Sequence, residues 1–171
     1  FVGREWALRM IWDWLESKEG RNLVLTAPAG FGKSTLVAEL VHRNPGQRVL
    51  AHYCCDASPG VFDFVMSIIC GLAGAYTAYA RSLDVAALKT EIEEVQSAKP
   101  KPSEKDREPS ELTDAAVRLF RRWVVNKLPK GPPDGHSQYL LVVDGLDESL
   151  GLDDRSAIVE LIARHLLDLP S

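Results

Sequence analysis

The sequence of 171 residues is poor in cysteine, has no long apolar run and carries no strong excess of either charge. Its three cysteines, Cys54, Cys55 and Cys70, are odd in number and show no CxxC spacing. That argues against a disulfide framework and against a structural zinc site. They read as reduced, buried thiols of a cytoplasmic protein. No apolar stretch approaches the ~20 residues of a membrane-spanning helix. The longest, around residues 65–80, is interrupted by Gly71 and Gly74. No signal peptide is recognisable. A net charge of −4 gives no general attraction to nucleic acid or to an anionic membrane. Those two partner classes are set aside. The chain opens on Phe1 rather than methionine, which suggests a piece excised from a longer protein.

What is present is an ordinary globular composition, 46% hydrophobic and 26% charged, long enough for one domain over 1–171 with a real core. Residues 4–17 place Leu8, Ile11, Trp12 and Leu15 on one helical face. A short apolar run over 22–26 predicts a buried strand. A helix follows over 33–42, then the turn "NPGQ", then a second strand over 48–55. Helices are expected over 61–80 and 83–96. The segment 97–110, "SAKPKPSEKDREPS", has three prolines and no large apolar residue, and predicts a mobile surface loop. A helix resumes with Leu112, Ala116, Leu119, Phe120 and Trp123 in register. A third strand over 138–144 is apolar throughout and so expected to be buried on both faces. A last helix spans 154–167. Strands alternating with helices predict an α/β fold with a parallel sheet, whose ligands bind at the carboxyl ends of the strands.

Two chemically loaded segments fall at such ends. The first is "APAGFGKST". Apart from Ala27 in place of the first glycine, it fits the phosphate-loop pattern. Gly30 and Gly32 let successive N–H groups turn inward around phosphate oxygens, with Ala29 and Phe31 contributing backbone to the same loop. The helix opening at Lys33 adds its dipole. Lys33 reaches the β- and γ-phosphates as a point charge, Ser34 offers a hydroxyl to Mg²⁺, and Thr35 holds the first helical turn. The blander interpretation is a glycine turn that caps a helix beside a solvated lysine.

The second segment is "LLVVDGLDE". Asp144, at the end of an apolar strand, is placed to hold Mg²⁺ through water. Asp147 and Glu148 follow closely, and either could orient or deprotonate an attacking water. The blander interpretation is a helix cap with acidic first-turn residues.

"LLVVDGLDE" resembles the extended Walker B motif of NACHT-type NTPases, within the STAND class of signalling ATPases. "FVGRE" resembles the hydrophobic-Gly-Arg-Glu motif ahead of the Walker A strand in that class, and "AHYCCDAS" is similar to the second-strand region of nephrocystin-like NACHT domains. The resemblance implies a P-loop NTPase fold of three αβα layers, which would stop here before its fourth strand. It implies an ATP-driven, Mg²⁺-dependent switch that self-oligomerises when ATP is bound. Effector and repeat sensor domains would lie outside this chain. Val2, Gly3 and Arg4 would lie near the adenine and ribose. The bland alternative for Arg4 is a pair with an acidic neighbour. His52 and Tyr53 are expected to pack in the sheet, with Cys54 and Cys55 on opposite faces.

The leading expectation is therefore an ATPase module of a signalling switch. The alternative is a nucleotide-dependent scaffold that barely hydrolyses ATP. A small-molecule kinase would need lid arginines; Arg121 and Arg122 more simply form the wet face of a helix. A GTPase is disfavoured because "NKLP" at Asn126 lacks the guanine-reading aspartate. A DNA-binding module is disfavoured by the acidic balance.

Overall fold

The structure, a computed structural model, describes residues 3–17, 20, 22–55, 60–97, 109–128, 138–147 and 157–165, with backbone alone at 109–113. Helix α1 (Glu5–Ser17) buries Ala7, Leu8, Ile11 and Leu15, the spacing of one helical face. Helix α2 (Lys33–Arg43) buries Leu36 and Leu40. Its end is bracketed by Asn44. The Asn44 side chain accepts from Val49 N at 2.7 Å and donates to Val49 O at 3.1 Å. That bracket closes the short 3₁₀ turn Pro45–Gln47 and sets the start of strand β1 (Val49–Cys54).

Strand β1 pairs in parallel with β2 (Leu140–Asp144). Val49 faces Leu140 and Ala51 faces Leu141, so Leu50 is an extra residue in the ladder. Alternation then sorts the side chains. Val49, Leu140 and Val142 meet Leu8, Ile11, Leu36 and Leu40 of α1 and α2. Leu50, Ala51, Tyr53, Leu141 and Val143 join the larger core on the opposite face. That core is supplied by α3 (Val61–Ala75), α4 (Thr77–Ser82), α5 (Val85–Ser97), α6 (Pro109–Leu119) and α7 (Ala157–His165). The layers are helix, parallel sheet, helix, as the alternation of elements predicted.

Several expectations are corrected. Residues 22–26 form no strand, and Leu23, Val24 and Leu25 are 48%, 80% and 47% exposed. An apolar run becomes a strand only with a ladder partner, and among the described residues the sheet is β1 and β2 alone. For the same reason Leu140 to Val143 are half-buried rather than covered on both faces. The helix expected over 61–80 breaks at Tyr76, whose φ of −126° and ψ of 98° leave the helical region. The break lets Tyr76 and Tyr79 both turn inward. Only Cys55 is buried. Cys54 and Cys70 are exposed, Cys70 because it sits on the outer side of α3 from Ile68, Ile69 and Leu72. The bulk of the loop expected over 97–110 lies outside the described residues. Ser97 closes α5, while Pro109 and Ser110 open α6, a place where proline's missing N–H costs nothing.

The helix begun by α6 widens into a π-helical turn over Phe120–Val125, where Asn126 N donates to Arg121 O at 2.9 Å. The following N–H groups, of Lys127 and Leu128, both bond Val124 O. The Trp123 carbonyl is passed over, and the buried Tyr79 hydroxyl donates to it at 2.6 Å. No helix among the described residues is long and apolar enough to cross a membrane.

Candidate functional site

The loop ahead of α2 turns through two left-handed glycines, Gly30 at φ +78° and Gly32 at φ +72°. Residues with a Cβ avoid that region, so glycine is what the loop shape requires. Phe31 N donates to Pro28 O at 3.3 Å, and Leu36 N donates to Gly32 O at 3.0 Å, the first bond of α2. Among the described residues the N–H groups of Gly32, Lys33 and Ser34 have no backbone acceptor. They are the orphan donors of a helix start, and they suit an anion. The Lys33 ammonium arches back over the loop, donating to Ala27 O at 2.7 Å and Pro28 O at 3.3 Å. Ser34, Thr35 and Phe31 are exposed at the loop's mouth. These donors fit a polyphosphate: backbone N–H groups, an ammonium and an exposed hydroxyl at one helix end.

The second segment is built differently. Asp144 is the last residue of β2, and it is buried. Its carbonyl accepts from Cys55 N at 2.8 Å, carrying the ladder one step past β1. One carboxylate oxygen accepts from Gly145 N at 2.9 Å. Gly145, at φ +69°, lies so close to Cys55 that a Cβ there would stand 2.8 Å from the Cys55 carbonyl oxygen. The acidic strand end is therefore wedged against the end of β1. The second Asp144 oxygen accepts no hydrogen bond from a described residue. Asp147 is exposed just beyond. Glu148 and Val2 lie outside the described residues.

The elements thus bring together Ala27, Pro28, Gly30, Gly32 and Lys33 in one loop, with Arg4 beside it. Arg4 Nη1 donates to Gly32 O at 2.7 Å. No hydrogen bond or ion pair among the described residues joins Lys33 to Asp144 or Asp147. Sequence patterns missed the ties that hold α1 in place. Glu5 makes a two-pronged pair with Arg43, at 2.7 and 2.8 Å, and Arg43 Nε also donates to Glu39 at 2.5 Å. Those hydrogen bonds hold the Glu5 carboxyl below its ordinary value and raise Arg43. Buried Arg48 pairs with Glu16 and donates to Gln138 O at 3.0 and 3.2 Å, fixing α1 to the start of β2. A buried arginine ahead of a strand was the available signal, but its partners lie 32 and 90 residues away.

A family model described as AAA ATPase domain matches residues 1–170. No match is found among curated proteins or solved structures.

Proposed function

Because the chain belongs to the AAA ATPase domain family, whose members are P-loop NTPases, we propose that it is the ATP- and Mg²⁺-binding module of a signalling switch of the NACHT type, within the STAND class. The observation that carries the reading is the loop itself. Two left-handed glycines lead into α2, and Lys33 is folded over the Ala27 and Pro28 carbonyls, where an incoming phosphate could draw it away.

In this reading the Ala29–Thr35 backbone cradles the phosphates and Lys33 neutralises their charge. Ser34 and Asp144 hold Mg²⁺, Asp144 from a fixed position because Gly145 N and the β1 end restrain it. Asp147 or Glu148 orients the attacking water. Val2 and Gly3 fall on the base side of the site by resemblance. Hydrolysis would couple to conformational change, self-association and effector and sensor domains in a parent protein, in the cytoplasm.

Calorimetric titration of ATP and ADP, with and without Mg²⁺, tests the reading. Mg²⁺ should tighten ATP binding, and Asp144→Asn should remove most of that gain. Glu148→Gln should keep ATP binding and lower phosphate release. Binding without any phosphate release above that of Glu148→Gln would leave a nucleotide-dependent scaffold. ATP affinity untouched by Lys33→Ala would remove the phosphate-loop assignment.

A further inference from the structure

Arg4 is drawn to the base by family resemblance, yet its guanidinium lies on the phosphate loop. Nη1 donates to Gly32 O at 2.7 Å. A Cβ on Gly32 would stand 2.5 Å from Nη1 and 3.0 Å from Cζ and Nη2. The guanidinium therefore fills the space a side chain at 32 would need. Among the described residues Arg4 makes no ion pair, so the acidic-neighbour alternative finds no partner there.

The carbonyl that Arg4 grips is half of a rigid unit. Gly32 C=O and Lys33 N–H belong to one planar trans peptide and point in opposite directions. The oxygen is held between Arg4 and Leu36 N. Fixing it there aims the Lys33 N–H the other way, out of the start of α2 and into the loop's concave side. The next residue works at the opposite end of the same helix. Glu5 grips Arg43, the last residue of α2. Arg4 also serves through its own carbonyl, which accepts the Ala7 and Leu8 N–H groups at the start of α1. Consecutive residues thus hold α2 at both ends.

We propose that Arg4 is a positioning residue of the phosphate site, orienting the Gly32–Lys33 peptide toward a polyphosphate, and not a reader of base or ribose; this rests on the nucleotide-binding reading above. Its effect reaches any ligand bearing the phosphate chain, whatever is attached to it.

Mg²⁺–tripolyphosphate and Mg²⁺–ATP separate the two roles. Both are titrated into the wild-type chain, Arg4→Ala, Arg4→Lys and Lys33→Ala. Arg4→Ala should weaken both ligands by the same factor, about tenfold, the loss of one charge-assisted hydrogen bond. Arg4→Lys, which keeps one cationic donor, should recover part of that loss for both. Without ligand, the Lys33 amide resonance should move in Arg4→Ala while those of α3 stay in place. If Arg4→Ala weakened ATP and left tripolyphosphate unchanged, Arg4 would be a base or ribose contact and the proposal would be overturned. If Lys33→Ala weakened both ligands and Arg4→Ala neither, the phosphate loop would stand and this proposal alone would fall. If the wild type bound neither ligand, both readings would fall. Should Arg4→Ala lose its fold, Arg4→Gln, an uncharged donor, takes its place with the same equal loss expected.

Discussion

On the α3 side of the sheet, Phe64, Val65, Ile68, Leu72, Tyr79, Phe120, Trp123 and Leu161 are sealed from solvent. On the α1–α2 side the apolar contact is a small cluster around Leu8, Ile11, Leu36 and Leu40. There the packing is finished by charged ties: Glu5 to Arg43, Glu16 to Arg48 and Arg4 to Gly32. Trp6 and Met10 of α1 stay largely open to water. One face is held by burial, which is non-directional and is not screened by salt as charge pairs are. The other is held by directional contacts of charged groups, which set geometry more than stability and weaken with salt. The phosphate loop belongs to the second face.

The sharpest break in that comparison is Trp123→Ala. It empties a fully buried aromatic position and should cost about 3–5 kcal/mol of unfolding free energy, read from urea denaturation. A loss no larger than that of a surface change would deny the α3 side its dominant role. Lys33→Ala should do the reverse. ATP affinity should fall by roughly 1.5–3 kcal/mol, the range for a hydrogen bond to a charged group, with the urea midpoint unmoved. A shifted midpoint would show the loop to be structural.

Tyr79→Phe sharpens the account of the larger core. It strands the Trp123 carbonyl in a buried place, at a cost of about 1–3 kcal/mol. Burial raises the Tyr79 hydroxyl above its ordinary value, with the nearby Cys70 thiol adding to the effect. Above about pH 10 the unfolded chain loses that proton and the folded chain keeps it, so stability falls as pH rises. Urea midpoints across alkaline pH should fall more steeply for the wild type than for Tyr79→Phe. The smallest effect belongs to Glu5→Gln. The hydrogen bond from Arg43 holds the Glu5 carboxyl below its ordinary value, so its contribution is present at neutral pH and is lost as pH falls through the depressed value. The small difference in thermal midpoint between wild type and Glu5→Gln should vanish in acid and in high salt. A difference that survived both would mean that packing, not charge, ties α1 to α2.

Much of this division could be read in the sequence, and what could not has physical reasons. The face of α1, the helix at Lys33, both ladder strands and the register around Trp123 follow from periodicity, because burial selects side chains locally. The glycine positions of the phosphate loop follow from backbone sterics. Residues 22–26 misled, since their composition suits a strand but the ladder partner is a property of the whole fold. Tyr76 breaks a helix without proline, and no local signal announces it. The Arg4, Glu5 and Arg48 contacts span 28 to 90 residues, and pairing at that separation leaves no mark on spacing.

The π-helical turn at Phe120–Val125 holds its N–H bonds one residue longer than an α-helical turn. Ala116, Leu119, Phe120, Trp123 and Val124 face inward across the junction between α6 and this turn. Set against a relative whose helix is α throughout, equivalent core positions before and after this turn differ in count by one. The correct alignment carries a single-residue gap inside 120–125, and an ungapped one would displace the residues beyond the turn by one position, about 100° around the helix.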